Sequence, residues 1–147
     1  MTNTSAKHAS SSLTAIANAN CDIATQSCDI SVLVPVMNEQ GNIRPLIDEI
    51  LEALSGRDFE IIYIEDGSDD GSAAELSQAS QDISQLRVLR HQVRSGQSAA
   101  IRSGLLRSRG KLICVLDGDG QNVPSDLPHL IDAVSYTHLT LPTIYSV

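Results

Sequence analysis

The run Leu112-Ile113-Cys114-Val115-Leu116 is apolar at every position and passes directly into Asp117-Gly118-Asp119-Gly120-Gln121. Five apolar residues without polar alternation read as a strand buried on both faces, and such strands belong to parallel sheets covered by helices. At the exposed end of that strand, two carboxylates and an amide form a hard-oxygen cluster suited to Mg²⁺ or Mn²⁺ that also grips a diphosphate. An Asp-Gly-Asp-Gly string can also simply reverse a chain. Its position favours a site: ligands of open α/β sheets bind beyond the carboxyl ends of strands, and a second acidic loop has the same setting upstream.

The remaining pattern alternates strand and helix. Ile30–Val36 is a β-branched apolar run with Pro35 near its end. Ile43, Leu46, Ile47, Ile50, Leu51 and Leu54 recur at helical spacing, with Asn42 as a cap, Pro45 in the first turn and Gly56 at the close. A second strand, Phe59–Ile64, leads into the loop Glu65-Asp66-Gly67-Ser68-Asp69-Asp70-Gly71-Ser72, which precedes a helix near Ala73–Ser80. Asp69 and Asp70 read as helix-start residues. Leu86–Arg90 is a third strand, Gln97–Ser108 a helix, Lys111–Leu116 the fourth strand, and Pro124–Ala133 a further helix. This order predicts an α/β fold, a Rossmann-like, mostly parallel sheet with helices on both faces and right-handed crossovers.

A chain of 147 residues is one small domain or part of a larger one, and with one Phe and no Trp its core is aliphatic. Residues 1–28, rich in Ser, Thr, Ala and Asn, read as a disordered polar tail, so that folding begins near Asp29. Cys21, Cys28 and Cys114 lack metal-ligand spacing and point to a reducing compartment. No apolar stretch reaches the roughly 20 residues of a membrane span.

A net charge of −8 argues against nucleic acid as a partner. The average hides an asymmetry. Seven of the ten Lys and Arg residues (Arg87, Arg90, Arg94, Arg102, Arg107, Arg109 and Lys111) lie in 87–111, a stretch with no Asp or Glu. Such a stretch can receive phosphates or an anionic membrane, or can be a solvated face.

Four ordered motifs, Val34-Pro35-Val36-Met37-Asn38-Glu39, Glu65-Asp66-Gly67-Ser68, Gly96-Gln97-Ser98-Ala99-Ala100 and Asp117-Gly118-Asp119-Gly120-Gln121, stand at successive strand ends. Together they resemble the family-2 glycosyltransferases of the GT-A fold, and among these the polyprenyl-phosphate sugar transferases that include dolichol-phosphate mannose synthase. The resemblance covers residues 29–133, the nucleotide-sugar-binding part of such a domain. It implies that Pro35, Met37, Glu39, Ile64, Asp66, Asp117, Gly118 and Asp119 bind the nucleotide sugar and that Asp117, Asp119 and Gln121 hold the metal, with Gln121 pointing to the polyprenyl-phosphate branch. Gly118 would let the backbone approach the nucleotide closely. Ala100 and Gly104 allow close packing. Arg94 stands where relatives commonly carry Asn, and Glu65 where they commonly carry Asp.

The implied reaction is metal-dependent, inverting transfer of a sugar from a GDP- or UDP-linked donor to a lipid phosphate, at the cytoplasmic face of the membrane in the full-length protein. Two other readings remain open: a family-2 transferase for a polysaccharide or other soluble acceptor, and a non-catalytic nucleotide-binding module. The start of 134–147, Val134-Ser135-Tyr136-Thr137-His138-Leu139, resembles a translation of the transposase-end DNA used in sequencing libraries. These residues are read as an adapter-derived tail, and the acceptor half would then lie beyond residue 133, leaving a catalytically inactive fragment; their Thr, Leu, Ile and Tyr content also suits a strand of a second half-sheet.

Overall fold

The structure is a computed structural model that describes residues 27–135 throughout and Thr143–Ser146 by their backbone. Most of the expected polar tail, and with it Cys21, lies outside the described residues. The elements run β1 (Cys28–Val36), α1 (Ile43–Ala53), β2 (Phe59–Glu65), α2 (Ser72–Asp82), β3 (Leu86–Arg90), α3 (Gln97–Arg107), β4 (Gly110–Val115), a 3₁₀ turn (Pro124–Asp126), α4 (Leu127–Ser135) and β5 (Thr143–Ser146). The strands form one sheet in the order β3-β2-β1-β4-β5, and every neighbouring pair is parallel. β1 begins one residue earlier than Asp29, because Cys28 pairs with Gly110 and is buried.

The absence of polar alternation in the strands has a direct cause: both faces of the sheet are covered. Along β1, β2 and β4, Val32, Val34, Ile61, Tyr63, Cys114 and Leu116 enter a larger core with α1, α2 and α4. The intervening Leu33, Ile62, Ile64, Ile113 and Val115 enter a second core against Ala100, Ile101 and Leu105 of α3. Successive side chains of a strand point to opposite faces, so a strand covered twice is apolar throughout. Gly104 lets α3 lie close: a Cβ there would be 2.9 Å from Ile64 Cδ1 and 3.2 Å from Leu33 Cδ1. Burial pushes the Cys114 thiol up to about 11, so it behaves as a small apolar side chain.

Helix α1 starts where its periodicity predicts, but Asn42 does not cap it with its side chain. The acceptors come from α2: Glu75 Oε2 accepts from Gly41 N at 2.8 Å and Glu75 Oε1 from Arg44 N at 3.0 Å. Asn42 instead donates through Nδ2 to Glu39 Oε2 at 2.9 Å. A carboxylate at a helix N-terminus satisfies orphan N–H groups and complements the helix dipole, so Glu75 performs the cap from another element.

The chain steps outward from β1 to β2 to β3, then returns through α3 to place β4 on the other side of β1. β1 and β4 are neighbours in the sheet, so the loops that follow them stand side by side. The acidic loop after β4 and the Pro35–Glu39 segment therefore meet at the carboxyl ends of two central strands. Thr143–Ser146 extends the sheet beyond β4. No helix among the described residues is long and apolar enough to cross a membrane.

The basic stretch is largely neutralised by carboxylates remote in sequence. Glu60, buried in β2, receives Arg87 at 2.8 Å and Arg109 at 2.9 Å; Glu65 receives Arg90 at 3.1 Å; Asp29 receives Lys111 at 2.8 Å. Arg94, Arg102 and Arg107 are exposed.

Candidate functional site

Four loops meet at the carboxyl edge of the sheet. The loop after β1 is fixed by the loop after β2, donor by donor. Asn38 N donates to Ser68 Oγ at 3.0 Å, Glu39 N to Ser72 Oγ at 2.9 Å, Gln40 N to Asp70 Oδ2 at 3.2 Å, and Gly41 N to Glu75 as above. In return Asn38 Oδ1 accepts from Asp69 N at 3.1 Å and Gln40 Oε1 from Gly71 N at 2.9 Å. Asp70 also accepts from Ser72 N at 2.9 Å, the helix-start role its position predicts. Consecutive N–H groups with side-chain acceptors hold an otherwise unpaired backbone in one conformation.

Asp66 closes the next loop. Its carboxylate is 5% exposed, and it accepts from Ser95 N at 2.8 Å, Gly96 N at 2.7 Å and the His91 ring at 2.7 Å. Burial disfavours its charge, but the hydrogen bonds from His91, Ser95 and Gly96 outweigh it and hold the carboxyl below the usual carboxylate range. Asp66 is thus an ionised acceptor facing a cavity of about 200 Å³ between β1 and the start of α3.

Pro35, Met37 and Asp66 line that cavity with Val36, Arg94, Gly96, Gln97 and Ala100. From the cavity wall, Gln97 Nε2 donates to Asp117 Oδ1 at 3.0 Å, which joins the pocket to the acidic loop. Gly118 lies against β1: a Cβ there would fall 2.3 Å from Val36 Cγ1 and 3.2 Å from Pro35 O, so the close approach that demands glycine is to this strand. Asp119 Oδ1 accepts from Gln121 N at 3.0 Å.

The structure therefore gathers Pro35, Met37 and Asp66 at one cavity, with Asp117, Gly118, Asp119 and Gln121 in the adjoining loop. Two residues expected at the nucleotide do not line this cavity. Ile64 is fully buried in the core beneath α3, and Glu39 turns its carboxylate to Asn42. The sequence reading missed the bridge from Gln97 to Asp117 and the contact of His91 with Asp66; a Gln directly after a helix-starting glycine was the available signal for the first.

Asp117, Asp119 and Gln121 are exposed, and Asp117 and Asp119 make no ion pair among the described residues. Among those residues, no three His, Cys, Asp or Glu side chains form a ready-made cage. Two exposed carboxylates without a cationic partner on a short loop fit a hard divalent cation that keeps several waters and shares phosphate oxygens, and do not fit a closed structural metal site.

The sequence profile described as glycosyl transferase family 2 matches residues 31–147. The chain belongs to that family. Over 119 residues this family 2 chain is 32% identical to dodecaprenyl-phosphate galacturonate synthase of Rhizobium johnstonii, a match covering 79% of the chain and 35% of that protein. It is 39% identical over 105 residues to undecaprenyl-phosphate 4-deoxy-4-formamido-L-arabinose transferase of an Enterobacter species, covering 69% and 32%. The chain thus spans about a third of the length of the curated relatives it matches.

Solved structures of similar fold include the mannosyltransferase PcManGT of Pyrobaculum calidifontis in complex with GDP-Man and Mn²⁺, with TM-score 0.64, 21% identity, and coverage of 80% of the family 2 chain and 34% of that one. S. aureus TarS in complex with UDP-GlcNAc aligns with TM-score 0.59 at 22% identity, covering 74% and 30%. The family 2 chain shares their α/β fold.

Proposed function

We propose that this chain is the donor-binding part of a metal-dependent, inverting glycosyltransferase that moves a sugar from a GDP- or UDP-linked donor to a polyprenyl phosphate in cell-envelope glycan synthesis. The observation that carries the reading is the bridge from Gln97 to Asp117, which makes one continuous surface of the Asp66 cavity and the acidic loop after β4. A base in the cavity and a diphosphate at the loop match the two ends of that surface. The polyprenyl-phosphate relatives support the acceptor class, and the neighbour in complex with GDP-Man and Mn²⁺ supports the donor and cation.

In this reading Pro35 and Met37 pack against the nucleotide, and Asp66, already ionised, accepts from a base N–H. Gly118 sets the acidic loop against β1, Gln97 orients Asp117, and Asp117, Asp119 and Gln121 hold Mg²⁺ or Mn²⁺. The cation, when bound, stabilises the charge that develops on the departing nucleoside diphosphate. Ile64 supports α3 from the core, and Glu39 holds the turn into α1.

A lipid phosphate is largely dianionic at neutral pH, since the second pKa of a phosphate monoester is about 6. Its oxygen attacks the anomeric carbon opposite the leaving diphosphate without a dedicated base, and the configuration inverts. Residues that position the acceptor are assigned to the remainder of a full-length transferase, acting at the cytoplasmic face of the membrane, and the 147-residue chain to donor binding without turnover. The reading of residues 134–147 as adapter-derived belongs to the same proposal.

The test offers labelled UDP- and GDP-sugars, Mn²⁺ and undecaprenyl phosphate to the purified chain and, in parallel, to the product of an independently cloned copy of the gene. Lipid-linked sugar from the second and none from the first is expected. Transfer to a soluble saccharide in place of lipid phosphate overturns the acceptor assignment, and chelator-sensitive turnover by the chain itself overturns its inactivity.

A further inference from the structure

His91 follows β3 and is 17% exposed at its side chain. Its Nδ1 lies 2.7 Å from Asp66 Oδ1, its Nε2 2.8 Å from Ser103 Oγ of α3, and its backbone N–H donates to Glu65 O at 2.9 Å. An ionised carboxylate only accepts, so Nδ1 carries the proton toward Asp66, and in the neutral ring Nε2 accepts from the Ser103 hydroxyl. The ring is held at both nitrogens.

Ser, His and Asp in that order also make up a nucleophilic triad, but Ser103 stands inside α3, where the surrounding N–H groups are committed to the helix ladder and leave no oxyanion hole. The chain of contacts leads the other way, toward the cavity. Asp66 Oδ1 also accepts from Ser95 N and Oδ2 from Gly96 N, the turn that starts α3, of which Gly96 lines the pocket. Gly96 has φ 92°, and no atom would meet a Cβ there within 4 Å. Steric packing on that side does not hold the turn; the Asp66 hydrogen bonds do. The orientation of the Asp66 carboxylate therefore sets both the turn and the acceptor direction offered to a ligand.

We infer that His91 is a positioning residue for donor-nucleotide binding: bracketed by Ser103, it fixes the Asp66 carboxylate, which fixes the Ser95–Gly96 turn. The nucleotide part of the inference rests on the donor-site reading above; the bracing of the turn does not. Losing a hydrogen bond to a charged group costs about tenfold or more in an equilibrium. An Asn amide can take the place of Nδ1 and restore the donor to Asp66, whereas a Gln amide reaches only the place of Nε2.

The test compares the chain with His91→Ala, His91→Asn, His91→Gln and Ser103→Ala, using calorimetric titration of UDP and of GDP with Mn²⁺ and amide hydrogen exchange in the ligand-free state. His91→Ala should weaken binding by about tenfold and speed exchange at Ser95 and Gly96 by a similar factor. His91→Asn should restore both to within about threefold, and His91→Gln should not. Ser103→Ala should have the smaller effect. If His91→Ala lowers the unfolding temperature sharply, the Asn and Gln variants, matched in polarity, decide the matter.

Unchanged affinity and exchange in His91→Ala, or rescue by Gln equal to that by Asn, overturns the inference. A wild-type chain that binds neither nucleotide, while His91→Ala still frees the two amides, rejects the donor-site reading and upholds the bracing of the turn.

Discussion

Gln97 Nε2 donates to Asp117 Oδ1 at 3.0 Å, and this single bond joins the first residue of α3 to the loop after β4. Both side chains are exposed, so the bond adds little to folding but orients a carboxylate that has no cation partner in the described protein. Gln97→Ala is expected to weaken Mn²⁺-dependent nucleotide binding by about three- to tenfold while changing stability by less than about 0.5 kcal/mol. Calorimetry and urea unfolding of the variant measure the two quantities, and a loss of stability without a loss of affinity would contradict this assignment.

Asp119 and Asp70 provide a contrast between a ligand charge and a loop charge. Asp119→Asn should reduce Mn²⁺-dependent nucleotide binding by about tenfold or more, with stability nearly unchanged. Asp70→Asn should leave binding within about twofold, since Asp70 holds the loop amides Ser72 N and Gln40 N and is no metal ligand; the one bond that Asn cannot accept should show as a loss of stability. Equal effects of the two substitutions on binding would reject the metal assignment.

Glu75 caps α1 from α2 through two N–H groups. Glu75→Ala leaves both donors without their acceptor and is expected to cost about 1–2 kcal/mol, comparable to loss of a good N-cap. Asn42→Ala, at the position where sequence places the cap, should cost less. Chemical denaturation of the two variants ranks them.

Glu60 brings acid sensitivity. Burial opposes its charge, but Ser31, Arg87 and Arg109 overcome this and hold its carboxyl below the usual range. Because the folded-state value is depressed, the stabilisation is present in full above the unfolded value of about 4.3 and is lost as pH falls through the folded-state value below it. Glu60→Gln should flatten the acid limb of the stability curve and, by leaving two guanidinium groups without their shared carboxylate, cost about 2–4 kcal/mol at neutral pH. Unfolding midpoints measured from pH 7 to pH 3 test both parts.

The sheet was legible because its strands are covered on both faces. Leu86–Arg90 is a strand as its residues predict, and Ile30–Val36 and Phe59–Ile64 differ from the observed strands by a residue or two at the ends. What was not legible depended on partners distant in the chain. Asn42 is the right residue type in the right place for a cap, yet Glu75 supplies the acceptors from 31 residues beyond Arg44. A linear count of charge overstated the basic face of 87–111, since Glu60, Glu65 and Asp29 neutralise four of its seven cations from other strands.

The site divides in the same way. The resemblance put Asp66 at the nucleotide, but its donors His91, Ser95 and Gly96 come from the segment after β3 and are remote in sequence. Ile64 matched a motif position and turned into the core, because the pleat of β2 sends it toward α3. Gly118 was read as letting the backbone approach the nucleotide; its close packing on Val36 needed the fold to be seen.

Calorimetric titration of GDP and of UDP into the purified chain, first with Mn²⁺ and then with excess chelator, repeated on Asp119→Asn, decides whether the acidic loop and the Asp66 cavity bind a metal and a nucleotide together. Saturable binding of one of the two nucleotides is expected, falling by about tenfold or more on chelation and by a similar factor in Asp119→Asn. Binding that is indifferent to both chelation and the substitution, or binding of neither nucleotide by a folded chain, would contradict the donor-site reading.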